Sequence, residues 1–273
     1  SLVFVHGFTG HPKDTWALKG AKSQLATRDA SGTNRDDSDV YWPVDLACKT
    51  LPNSRILTYG YDTKVRHLFA GPVSQNSVYD HAGDLLGRLE SLRRSSDEAC
   101  RPILFIAHSL GGIVVKEALR ISRGCENTIA DRRRIYESTS GIMFFGTPHG
   151  GADPRNLIHH VLSALVRAFG LRVNNQIVNT LMPDAEHLTQ LRDEFSIMCQ
   201  ERIWKVHSFQ EEYGVPALFG NKVVNDNSSC LNNPTLETKQ HISSNHMDMC
   251  RFSGLQDQEY LKVAAAMTHI VGA

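Results

Sequence analysis

The chain has 273 residues, with 29 Lys plus Arg against 29 Asp plus Glu, so its formal net charge is zero. That balance argues against nucleic acid as the main partner, because phosphate contacts need surplus basic residues. Apolar residues make up 41% and charged residues 21%, a globular composition, and the length suits one large domain or two small ones with a sizeable core; a single domain, 1–273, is expected. No apolar run approaches the roughly 18 residues of a transmembrane span. The cysteines, Cys48, Cys100, Cys125, Cys199, Cys230 and Cys250, are scattered without a CxxC pair or metal-ligand spacing. They suggest no metal site, and no cofactor is expected. Scattered thiols and the absence of a visible signal segment favour a cytoplasmic location, and the oligomeric state stays open.

Strand and helix patterns alternate along the chain. Leu2-Val3-Phe4-Val5 is a continuous apolar run stopped by His6-Gly7, as in a buried parallel strand. Residues 20–40 are polar and read as a surface loop. Arg55-Ile56-Leu57-Thr58-Tyr59 is a second strand, and Val78, Ala82, Leu85, Leu86 and Leu89 then share one helical face. Ile103-Leu104-Phe105-Ile106-Ala107 is a third strand, followed by a helix carrying Val114, Val115, Ala118 and Leu119 and stopping at Gly124. Ile142-Met143-Phe144-Phe145 is a fourth strand, and the run from Ile203 to Phe209 a fifth. A sixth is expected from Ala217-Leu218-Phe219 to Val223-Val224. The last helix carries Tyr260, Val263, Ala264, Met267 and Ile270. This alternation predicts an α/β protein with a mostly parallel sheet, right-handed crossovers and helices on both faces.

Residues 153–200 exceed what this scheme needs. Leu157, Ile158, Val161, Leu165 and Phe169 recur at helical spacing, as do Leu188, Leu191, Phe195 and Met198. They predict amphipathic helices, either packed on the core or forming a helical cap over a pocket.

The stretch from Ile103 to Val115 carries the chemistry. It runs strand, then Ala107-His108-Ser109-Leu110-Gly111, then helix, which is the nucleophile-elbow pattern with Ala107 in place of its first glycine. Small residues two before and two after Ser109 let strand and helix backbones pass closely. A serine hydroxyl needs a base, and the base an orienting acid, met along such chains in the order Ser, acid, His. The late histidines are His241, His246 and His269. His269 falls inside the terminal helix and is structural. His246 is preferred to His241 because it is nearer the helix entry, with loop enough to swing over the sheet edge. The acid should end the fifth strand. Glu211 and Glu212 both stand there, and alternation lets only one face the site. Asp226 is a third candidate.

Donors for a developing oxyanion are expected from the backbone N–H of Leu110 and of Phe8, in the turn His6-Gly7-Phe8-Thr9-Gly10. His6 and His149 are assigned loop-shaping roles. His108, Leu157, Val161, Leu165 and Phe169 are the candidate substrate contacts.

The segments FVHGFTGHPKDTW, RILTYGYD, AHSLGGIVVKEAL and FFGTPHGG resemble the serine esterase/lipase branch of the α/β-hydrolase superfamily. The likeness is to SERAC-like and GPI inositol-deacylase-like hydrolases, and to the hydrolase domains at the N-termini of fungal NACHT, ankyrin and tetratricopeptide proteins. It runs from Leu2 to about Tyr260. The resemblance implies an α/β-hydrolase fold and a metal-free esterase, lipase or acyl-transfer activity on a small-molecule or lipid ester, with thioesters included. Relatives have a strand ending Phe-Tyr-Glu, matched here by Phe209-Gln210-Glu211, which favours Glu211 as the acid. They have Asp-His or Asn-His before a Met-Cys-Lys/Arg-Phe run, matched here by Asn245-His246 and Met249-Cys250-Arg251-Phe252, which favours His246. Two other readings are a catalytically silent hydrolase fold used for binding or sensing, and an acyltransferase or lyase using the same three side chains.

Overall fold

The computed structural model describes residues 1–8, 10–20, 39–61, 77–125, 130–150, 154–168 and 185–272. Thr9, most of the expected surface loop (21–38) and Phe169 lie outside them. Strand β1 (Leu2–Val5) leads to an antiparallel pair, β2 (Ala17–Leu18) and β3 (Val40–Tyr41), and to two single-turn helices, α1 (Trp42–Asp45) and α2 (Ala47–Thr50). Next come β4 (Ile56–Tyr59), α3 (Val78–Leu92), α4 (Ser96–Ala99), β5 (Ile103–His108), α5 (Gly111–Gly124), α6 (Ala130–Ser138) and β6 (Thr139–Phe145). The chain ends with α7 (Pro154–Ala168), α8 (Ala185–Arg202), β7 (Lys205–Glu211), a 3-10 turn at Pro216–Leu218, β8 (Glu237–Ile242) and α9 (Gln258–Val271).

The main sheet has the order β4-β1-β5-β6-β7-β8, and every adjacent pair is parallel. Its central strands carry unbroken apolar runs, at 2–5, 103–107 and 142–145, because both faces are covered. Alternation sends Val3, Val5, Phe105, Ala107, Ile142 and Phe144 into one core, shared with α3, α5, α6 and the end of α8. It sends Leu2, Phe4, Leu104, Ile106, Met143 and Phe145 into the other, with Trp16, Trp42, Phe252 and α9. Each of these larger side chains contributes about 1.5–3 kcal/mol on burial. Strand order reverses between β1 and β5, and in such sheets ligands bind in the crevice at the strands' carboxyl ends there. That is where Ser109 sits.

Two expectations are corrected. The apolar residues 217–224 are not the sixth strand. They form the 3-10 turn, a left-handed Phe219 (φ 56°) and an isolated bridge from Val215 to Asn221. The sixth sheet strand is β8, Glu-Thr-Lys-Gln-His-Ile, whose four middle residues are exposed. An edge strand open to water needs no apolar pattern, so it reads as loop. The predicted fifth strand is real but starts later, at Lys205; Ile203 is a left-handed turn residue (φ 53°) and 86% exposed.

The segment after α6 and β6 divides between the layers. The face of α7, with Ile158, Val161, Leu162 and Leu165, packs with Phe8, Leu110 and Ile113 in a third cluster, joined by Leu188 and Leu191 of α8. The second half of α8, with Phe195, Met198 and Cys199, belongs instead to the sheet core. No helix among the described residues is long and apolar enough to cross a membrane.

The close approach of β1 to α5 tests the packing. A Cβ on Gly111 would fall 2.3 Å from the His6 carbonyl oxygen and 2.6 Å from that of Val5. Ala normally stabilises a helical position by up to about 1 kcal/mol over Gly. Gly111→Ala should do the reverse and destabilise by about 1–3 kcal/mol, read as a lower urea midpoint with an unchanged slope.

Candidate active site

Ser109 follows β5 directly and has φ 53°, a left-handed backbone that a non-glycine residue adopts at about 1–3 kcal/mol. The strain is held by bonds around it. Its N–H donates to the Phe145 carbonyl at 2.8 Å. Its carbonyl accepts from Gly112 N at 3.1 Å and from Thr147 Oγ1 at 2.9 Å. Gly7, after β1, lies so close that a Cβ there would be 3.2 Å from Ser109 Oγ. Leu110 is the N-cap of α5, and its carbonyl accepts from Ile113 N at 3.0 Å. Phe8 stands in the neighbouring turn, where Gly10 N donates to the Gly7 carbonyl at 3.0 Å.

Glu211 ends β7 and is fully buried. Its two oxygens accept from Val223 N at 3.1 Å and Val224 N at 2.6 Å. Its Oε1 is also 3.4 Å from His246 Nδ1, and both side chains are fully buried. His246 reaches this place from the loop after β8. Bonds past the strand ends stitch β7 to β8, from Glu212 N to the Ile242 and Ser244 carbonyls and from Tyr213 N to that of Ser244. Asn245 then makes a turn, accepting from Met247 N at Oδ1 (2.9 Å) and from Met249 N at its carbonyl (2.9 Å). The run behind it is an anchor: Met249, Cys250 and Phe252 are buried, and Trp42 Nε1 donates to the Cys250 carbonyl at 2.9 Å.

Ser109 and His246 thus meet the same segment, Phe145-Gly146-Thr147. A Cβ on Gly146 would lie 2.9 Å from His246 Nδ1. Ser109 Oγ and both ring nitrogens of His246 have no hydrogen-bond partner among the described residues. A hydroxyl, an imidazole and a carboxylate gathered this way, with helix N–H groups beside them, are equipped for nucleophilic acyl transfer.

The other candidates are elsewhere. Glu212 accepts from Ser243 Oγ at 2.7 Å at the surface. Asp226 pairs with Lys222 at 2.7 Å and with His241 at 3.5 Å, all part-exposed. His269 is exposed on α9. The sequence reading places His108 among the substrate contacts, but in the structure it is buried and its Nε2 lies 3.0 Å from the His246 carbonyl oxygen. Leu157 is half-buried, and Val161 and Leu165 are buried in the cluster with Phe8 and Leu110. The residues the sequence reading misses are Val223 and Val224, the clamp on Glu211, and Thr147. A backbone clamp leaves no side-chain signature.

Several buried histidines are held neutral. His6 Nε2 accepts from Tyr61 N at 3.4 Å, so its Nδ1 carries the hydrogen facing the Gly7 carbonyl at 2.9 Å. Burial, chiefly, lowers the pKa of His6 and of His207 to about 4, and puts His108 and His149 well below the usual range. The unfolded chain titrates near ~6.5 and takes up protons that the fold refuses. Stability should therefore be untouched by these groups above that pH. Between about pH 6.5 and 4 it should fall by up to about 1.4 kcal/mol per pH unit for each. Urea melts at pH 7 and pH 5 check this; equal or higher stability at pH 5 contradicts it.

A model of the alpha/beta hydrolase family matches residues 2–217. Protein SERAC1 of Danio rerio is 28% identical over 225 residues, which is 80% of this chain and 31% of that protein. Protein SERAC1 of Homo sapiens is 26% identical over 226 residues, 81% of this chain and again 31% of that protein. The chain thus spans less than a third of the length of these relatives. The crystal structure of mature Bacillus licheniformis lipase BlEst2 superposes with a TM-score of 0.54 at 16% identity, covering 98% of this chain and 91% of that one. That likeness is one of fold. With the family match running from β1 through the elbow to the end of β7, the chain belongs to the alpha/beta hydrolase family.

Proposed function

We propose that this chain is a serine hydrolase that cleaves a carboxylic ester with an apolar acyl group, through a covalent acyl-enzyme. The observation that carries the reading is the buried contact of Glu211 with His246 beside a strained, unpartnered Ser109 hydroxyl. In this reading Ser109 Oγ attacks the acyl carbonyl while His246 Nε2 takes its proton. The Leu110 and Phe8 N–H groups receive the oxyanion. His246 returns the proton to the departing alcohol, leaving the acyl group on Ser109. Water, deprotonated by the same nitrogen, then releases the acid. Glu211 keeps its clamp throughout and stabilises the imidazolium. Such serine–histidine bonds are often open without substrate and tighten when it binds.

The apolar cluster supports the substrate class. Leu110, next to the nucleophile, Phe8 and Met247, next to the base, all pack with the α7 face and with Leu188 and Leu191 of α8. We place the cap in α7 and the first half of α8, within the single domain. An apolar roof of this kind excludes water and receives an apolar chain.

Ser109→Ala should lower kcat on nitrophenyl butyrate by several orders of magnitude at an unchanged melting temperature. His246→Ala should match it, and the double variant should add nothing further, because the three groups act as a unit. Glu211→Gln should cost less, and Asp226→Asn little. Wild-type kcat/KM should fall on acidification, since only neutral imidazole can take the proton. Activity of Ser109→Ala within tenfold of wild type would remove it from the mechanism, and a silent binding module would show no activity to lose.

Leu157→Ser, at the half-buried rim of the cluster, should raise KM for an octanoate ester by about tenfold and leave that for acetate unchanged. Leu165→Asp, deep in the cluster, should instead lower the melting temperature. If Leu157→Ser shifts KM equally for both esters, the acyl chain lies elsewhere.

A further inference from the structure

We propose that His108 is a positioning residue: its Nε2–H holds the backbone of His246, tying the base to the strand that delivers the nucleophile. This rests on Ser109, His246 and Glu211 being the reacting set.

His108 is the last residue of β5, and Ser109 is the next in the chain. Strand alternation turns it away from Ala107 and toward the loop after β8. Its Nε2 is 3.0 Å from the His246 carbonyl oxygen, a contact across 138 positions of sequence. The two rings lie 4.8 Å apart at 41°. A carbonyl can only accept, so Nε2 carries the hydrogen. Among the described residues this is the one side-chain hydrogen bond to the backbone of His246. The other restraints act on its neighbours Asn245, Met247 and Met249, or on the ring itself. The bond adds a direct tie between β5 and the backbone of His246, beside the restraints that hold the rest of the loop.

The ring of His108 is only 8% exposed. Burial, and next the charge that His246 acquires, hold it neutral. It can therefore keep donating while its neighbour takes up and gives back the serine's proton, and it does not compete for that proton.

The test compares His108→Ala, His108→Gln and Ser109→Ala with wild type. It measures kcat and KM on nitrophenyl butyrate, with the melting temperature. The Gln amide nitrogen stands as many bonds from Cα as Nε2 does and can make the same donation. Rates are normalised to the folded fraction at the assay temperature. His108→Ala should lower kcat by about 10–100-fold, the size expected when reacting groups drift by about an ångström, with KM within about twofold. His108→Gln should recover at least about tenfold of that loss. A raised KM with unchanged kcat would make His108 a substrate contact and overturn the proposal. So would an unchanged kcat in His108→Ala, or a His108→Gln as slow as His108→Ala at equal melting temperature. An active Ser109→Ala would instead overturn the reading on which the proposal rests.

Discussion

A carboxylate withdrawn completely from water must be matched by hydrogen bonds and opposite charge, or it protonates or the fold opens. Glu211 is such a group. Two backbone N–H groups face its oxygens from the loop after β7, and an imidazole faces it from the loop after β8. Both loops are also anchored by apolar side chains, Val215, Val223 and Val224 after β7 and Met249, Cys250 and Phe252 after β8. The stitching of Glu212 and Tyr213 to Ser244 brings the second loop over the end of β7, and the buried run Met249 to Phe252 keeps it there. The β7–β8 edge of the sheet frames one buried carboxyl group.

The nucleophile's side is built on closeness. Gly7 and Gly111 let the backbones of β1, β5 and α5 approach until only hydrogen would fit between them. Ser109 takes its left-handed conformation at this crowded junction, directly before the buried N-terminus of α5. Above it, the cluster of α7 with Phe8 and Leu110 keeps the local dielectric low. Charge that develops on an oxyanion or an imidazolium is worth more to nearby dipoles in such surroundings than in water. In the proposed reading, the strained turn, the apolar cluster and the buried carboxyl group are parts of one electrostatic arrangement.

The centre of the fold was legible because double-sided burial writes itself as unbroken apolar runs. β1, β5 and β6 are of this kind, and the small residues around Ser109 announce the elbow. Glu211 stood out as a candidate because it ends β7, a buried strand of mixed apolar and polar residues. The periphery was not legible, for the opposite reason. β8 is an edge strand with its middle exposed, so its six residues look like loop. Val223 and Val224 are apolar and suggested a strand, yet their N–H groups are spent on a carboxylate and not on a ladder. The helix α8 crosses from the third cluster to the sheet core along its length, which a single hydrophobic stripe does not reveal. His108 is polar beside a nucleophile, which suggests contact with substrate. The folded geometry places its Nε2 3.0 Å from the His246 carbonyl oxygen, which the sequence does not show.

The central claim is that Ser109 is a nucleophile activated through His246 by the buried Glu211. A fluorophosphonate reacts with such a serine and with few others, so mapping its adduct by peptide mass spectrometry tests the claim directly. The expected result is a single adduct on Ser109, formed more slowly in Glu211→Gln and not at all in His246→Ala. No adduct on the folded protein, or one on another residue, would contradict it.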